Sequence, residues 1–188
     1  MNKKLAAALS GGAVLMLVLS GCGGDDGQEK ANAWAKKVCD QWQPELKKIE
    51  TANAEIKRVA SESSKSDEVQ KTDSAAFGTM TESYKAMAAV LQSVGAPPVK
   101  NGAATQEAAA KGFEATSKGY ADLKAMMDAL DAQDKAKFAD GLKQVAGGLK
   151  DATKGGQDAL HQLNAGGLDK AINSQKGCQV ATMSASDK

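Results

Sequence analysis

Apolar residues recur along most of this chain at intervals of three and four, the spacing of one face of an α-helix. A first stripe carries Trp34, Val38, Trp42, Leu46, Ile49, Ala52, Ile56 and Val59, and predicts a helix from about Glu29 to Arg58. Pro44 lies inside it and removes one intrahelical hydrogen bond. The stripe keeps its phase across the proline, which predicts one bent helix rather than two. The polar run Ser61 to Lys71 reads as a mobile connection. Phe77, Met80, Tyr84, Met87, Leu91 and Val94 then form a strict heptad seam, which predicts a second helix from Thr72 to Val94. Thr72 or Asp73 is its expected N-cap, Gly95 its expected left-handed cap, and Pro97-Pro98 forbids continuation.

The third stripe runs through Gln106, Ala109 or Ala110, Phe113, Thr116, Tyr120, Leu123, Met127 and Leu130, and predicts a helix from Ala103 to Leu130. A turn at Asp131 to Asp134 follows, with Asp131 as the expected cap. The fourth stripe, Phe138, Leu142, Val145, Leu149, Ala152, Ala159 and Leu163, predicts a helix from Lys135 to Leu163. Gly147-Gly148 and Gly155-Gly156 weaken it by roughly 1 kcal/mol per glycine relative to alanine. Asn164 to Gly167 ends it, and Leu168 to Ile172 adds a short turn. No stretch after residue 22 alternates β-branched and polar residues. The fold class is therefore all-α, an antiparallel up-down-up-down four-helix bundle.

The first residues follow another rule. Lys3 and Lys4 precede an apolar stretch from Leu5 to Leu19, roughly 15 residues, short of the roughly 20 that a spanning helix needs. Leu19-Ser20-Gly21-Cys22 follows and resembles the lipobox of bacterial lipoproteins. That resemblance implies a signal peptide at 1–21, cleavage after Gly21, and a lipid anchor (diacylglycerol with further acylation, as palmitate) on Cys22. The expected location is the cell membrane, with the protein facing the extracytoplasmic side. Residues 22–28, rich in Gly and Asp, read as a flexible tether, 29–178 as the bundle, and 179–188 as a disordered tail. The lipobox, the tether, the segment Val38-Cys39-Asp40-Gln41-Trp42 and the late Cys178 together resemble small actinobacterial-type lipoproteins of unknown function.

With Cys22 assigned to lipid, Cys39 and Cys178 remain, an even number for an oxidising compartment. An up-down-up-down bundle brings the start of its first helix and the end of its fourth to one end, which predicts a Cys39–Cys178 disulfide. Two free thiols or a catalytic thiol are the other readings. The only histidine, His161, sits one step off the fourth stripe and reads as a surface residue.

Charge narrows the function. The chain carries a formal +1; the first 21 residues hold two lysines and no acid, which leaves −1 for the rest. With no basic run there is no footprint for nucleic acid. No zinc, phosphate-loop, dinucleotide or nucleophile motif is present, so an enzyme is not predicted and no cofactor is expected. Met80, Met87 and Met127 are candidate thioether ligands for Cu(I), against their reading as core. Trp34, Trp42 and Phe113 are placed towards the anchored end, opposite alanines and glycines of the third and fourth helices. They are read as a ligand cleft, as interlocking core, or as rings resting on the bilayer. The expected function is a non-enzymatic, membrane-anchored module that binds a protein, a peptide or a small apolar ligand. The alternatives are a carrier or sensor of a small apolar ligand or Cu(I), and an enzyme of unrecognised type.

Overall fold

A computed structural model describes residues 25–61 and 63–179. The signal segment, Cys22 and the tail from residue 180 lie outside the described residues. Most of those described are helical, with no strand among them. Four long helices, α1 (Asp25–Ser61), α2 (Ser66–Val94), α3 (Gly102–Asp128) and α4 (Lys135–Leu163), carry the core. A wide turn at Asn164–Leu168, a short α5 (Asp169–Asn173) and a 3-10 turn at Lys176–Cys178 complete the chain.

The apolar stripes become the core. Val38, Trp42, Phe77, Met80, Leu91, Phe113, Leu123, Met127, Phe138, Val145 and Leu163 are all buried in one cluster. Each such large side chain contributes about 1.5–3 kcal/mol on leaving water. α1 runs unbroken through Pro44. α4 has the predicted bounds, because an aspartate starts it: Asp134 accepts from the backbone N–H of Ala136 and of Lys137, each at 3.1 Å. Asp131, the expected cap, instead accepts from Gln133 N–H within the turn, at 3.0 Å.

Several boundaries differ from expectation, and α3 ends at Asp128 rather than Leu130. α1 begins at Asp25, so residues 25–28 of the expected tether are helical. α2 begins at Ser66, and neither Thr72 nor Asp73 caps it. The run read as a mobile connection is mostly the first turns of α2. Asp67 and Glu68 sit in its first turn, where the helix dipole favours acids. Gln70 donates from its amide to the carbonyls of Met127 (3.0 Å) and Leu130 (2.7 Å), and so closes the end of α3. Gly95 follows α2 at φ +84°, ψ 173°, a positive-φ extended conformation rather than the left-handed cap.

Cross-helix contacts define how the helices meet. Trp34 near the start of α1 reaches Gly95 beyond the end of α2, and Arg58 near the end of α1 reaches Glu68 near the start of α2. Gln70 of α2 meets the end of α3, and Gln106 near the start of α3 donates to Leu91 O late in α2. Gly119 meets Ala152, and Gly112 meets Gly155 and Ala159. α3 packs extensively on α2 and α4, and α2 on α1, whereas α1 and α4 touch marginally at most. What joins α1 to the C-terminal part is the segment after α4: α5 and the 3-10 turn both pack on α1. The Cys39–Cys178 disulfide locks that contact, with the two Cα atoms 5.1 Å apart. Gly177 is required there, since a Cβ would sit 2.6 Å from the Cys39 carbonyl oxygen.

Candidate functional site

Because α1 and α4 do not close on each other, a cleft of about 380 Å³ remains between them. α1 supplies one wall through Trp42, Leu46, Ile49, Glu50 and Asn53. α4 supplies the other through Thr153, Gly156, Gln157 and Leu160. Tyr84 and Met87 of α2 and Phe113 of α3 form the floor. Ile172, Asn173 and Cys178 shut one end, so the disulfide strap is part of the site.

The floor is rigid. Trp42 stands edge-on to Phe113, with ring centroids 5.2 Å apart and planes at 79°. Phe113 stacks on Tyr84 at 6.1 Å, and Tyr84 on Tyr120 at 5.6 Å with planes 6° apart. Such pairs add about 0.5–1.5 kcal/mol each beyond area burial. The Trp42 indole N–H donates to Met87 O at 3.1 Å, which ties α1 to α2 beneath the cleft. The Tyr84 hydroxyl has no hydrogen-bond partner among the described residues. Burial pushes its phenol above the ordinary value, so it stays a neutral O–H donor at physiological pH. Tyr120 is pushed up further, first by burial and then by Tyr84.

Gly156 keeps the cleft open over this floor. A Cβ there would come within 3.2 Å of Thr116 Oγ1 and 3.6 Å of Tyr84 Cε1. Thr116 Oγ1 is itself buried and has no hydrogen-bond partner among the described residues. No match is found among protein-family models, curated proteins or solved structures. What this site does therefore rests on its own geometry.

The residues expected to form a cleft divide. Trp42 and Phe113 are in contact and line it. Trp34 does not line it: its ring is buried nearer the chain start, and its indole N–H donates to Gly95 O at 2.8 Å. Neither tryptophan ring is presented outward, at 6% and 1% exposure, so neither rests on a bilayer through its own surface. Most small residues opposite them are also not cleft walls. Gly112 and Gly119 let α3 and α4 approach closely, as a Cβ at Gly112 would lie 2.5 Å from Gly155 O and one at Gly119 2.6 Å from Ala152 Cα.

Met80, Met87 and Met127 are buried in the apolar cluster, the environment in which methionine fills space. Among the described residues, no group of three or more His, Cys, Asp or Glu is placed to hold a metal. His161 is exposed on α4. Asp73, whose carboxyl burial pushes up to about 6, does not line the cleft. A second, more open groove of about 650 Å³ lies between α1 and α2. Its lining of Lys47, Lys48, Lys71, threonines and alanines has no aromatic side chain, so it desolvates a ligand less than the α1–α4 cleft does.

The sequence reasoning missed Tyr84, Gly156 and Leu160. Tyr84 was readable only as a seam residue, and nothing in its spacing says that the seam opens beside it. Leu160 at the mouth, 38% exposed, is one of the few large apolar side chains left in water, and it lies off the α4 stripe. That departure from the stripe was the available signal.

Proposed function

We propose that this protein is a membrane-anchored, extracytoplasmic, non-enzymatic lipoprotein that holds a small apolar ligand between its first and fourth helices. The helices run up-down-up-down, so the chain start, the disulfide and the strap share one end. The end-to-start contacts of neighbouring helices support this arrangement. The anchor rests on the Leu19-Ser20-Gly21-Cys22 resemblance. A long-range disulfide supports the extracytoplasmic address, since such bonds persist in oxidising compartments. No described helix is long and apolar enough to cross a membrane.

The observation that carries the binding reading is the aromatic-floored cleft of about 380 Å³, within the roughly 300–1,000 Å³ of small-molecule sites. Its lining supports binding over catalysis. Glu50 is the one carboxylate in it, with no histidine or free thiol beside it.

The test is a titration with N-phenyl-1-naphthylamine, a neutral dye that brightens in apolar surroundings. The wild-type chain is expected to give a saturable rise. Asn53→Phe, which places a ring in the mouth, is expected to remove it while helical circular dichroism is unchanged. A saturable signal equal in both proteins would refute the site.

A further inference from the structure

We propose that the cleft selects a hydrophobic cation: a compact apolar body carrying an ammonium group that meets Glu50. This rests on the cleft being a ligand site and names the ligand class. Among the residues lining the cleft, Glu50 alone carries a charge. Its side chain is exposed at the mouth and has no ion-pair or hydrogen-bond partner among the described residues. The other polar groups at the rim are amides, Asn53, Gln157, Asn164 and Asn173, whose oxygens accept from N–H donors as readily as their nitrogens donate.

No lysine or arginine lines the cleft, and none is paired with Glu50 among the described residues. Lys47 and Lys48 precede it on α1 but line the α1–α2 groove, and Lys48 is paired with Glu45 at 2.8 Å. On α4, Lys154 is paired with Asp158 at 2.6 Å. A carboxylate ligand would meet the Glu50 charge with no lysine or arginine in the lining to offset it. A neutral ligand would leave Glu50 unused. A ligand with an ammonium at the mouth and its body against Leu46, Ile49, Met87 and Tyr84 uses both features. The gain from one carboxylate at a half-wet mouth is modest, roughly three- to five-fold in Kd.

Three probes that differ only in the head group test this: 1-naphthylmethylammonium, 1-naphthalenemethanol and 1-naphthylacetate. They are titrated calorimetrically into the full chain in phosphatidylcholine nanodiscs, with empty discs as blanks. The ammonium is expected to bind about three- to five-fold more tightly than the alcohol, and the acetate more weakly than both. Glu50→Gln is expected to bring the ammonium to the Kd of the alcohol and to leave the alcohol unchanged. Acetate binding as tightly as ammonium, or an unchanged ranking in Glu50→Gln, would overturn the cation assignment and leave the cleft standing. An equal loss for all three probes in Glu50→Gln would show that Glu50 supports the fold and would overturn the assignment too. Absence of binding by every probe would overturn the ligand site itself.

Discussion

Single glycines separate two roles that composition cannot tell apart. A Cβ at Gly147 would meet nothing within 4 Å among the described residues, so in α4 this glycine only adds freedom to the unfolded chain. Gly147→Ala is expected to stabilise the protein by about 0.5–1 kcal/mol. Gly112 faces Gly155 O and Ala159 Cβ, at 2.5 and 2.8 Å from its built Cβ. Gly112→Ala forces α3 from α4 and is expected to cost about 1–3 kcal/mol. Urea unfolding of the two variants measures both signs, and equal shifts would remove the close-approach argument. Asp73 gives a pH signature. Its Oδ1 is buried without a partner among the described residues, and burial raises its carboxyl from 3.8 to about 6. The unfolded chain thus releases this proton first as pH rises, so the folded state loses stability between pH 3.8 and about 6. Asp73→Asn removes the penalty. Because the group is only half-buried, solvent screening holds the expected gain to about 1 kcal/mol at pH 7.5. Near pH 4 the gain should vanish. Paired thermal melts at the two pH values check this, and an equal shift at both would contradict it.

At the scale of elements, stripe-bearing segments were readable and their junctions were not. α4 was bounded correctly because its stripe starts directly after Asp134, a residue type that caps helices. The start of α2 was missed because residues 66–71 have almost no apolar periodicity. Their helix is secured by first-turn acids and by Gln70 bonding to carbonyls at the end of α3, a tertiary contact that no local pattern shows. The disulfide was readable from cysteine count and helix order. That it compensates for a marginal α1–α4 contact was not, since amphipathic stripes say which face is buried but not which neighbours cover it. The same limit explains why Trp34 was grouped with Trp42 and Phe113: they were matched by level along the bundle and not by direction around it. The strap gives a stability prediction. The bridge spans 139 positions, and the chain-entropy model assigns such a closure about 4–5 kcal/mol. Cys39→Ser with Cys178→Ser is expected to lower the Tm by roughly 10 °C or more. It should also speed amide exchange in residues 169–178 before α2 and α3. Uniform acceleration across all helices would argue against a strap that opens on its own.

At the scale of the whole molecule, anchor and cleft make opposite demands on apolar surface. On the proposed lipoprotein reading, one apolar stretch is handed to a peptidase and replaced by lipid, while the apolar stripes of the described helices are folded inward. The stretch before Cys22 is roughly 15 residues, too short to span at full thickness. On that reading stable attachment falls to acyl chains, each CH₂ adding about 0.8 kcal/mol of membrane affinity, with two chains needed for lasting retention. Retention alone is a poor test, since an uncleaved precursor also clings to membranes through its apolar start. The covalent state decides. Mass spectrometry of the isolated protein is expected to place the N-terminus at Cys22, carrying diacylglycerol on its thiol. Globomycin, or Cys22→Ala, is expected to leave the 21-residue signal uncut. An N-terminus elsewhere, or an unmodified Cys22 in membrane-associated protein, would remove the anchor. The cleft would then have to work in a freely diffusing protein.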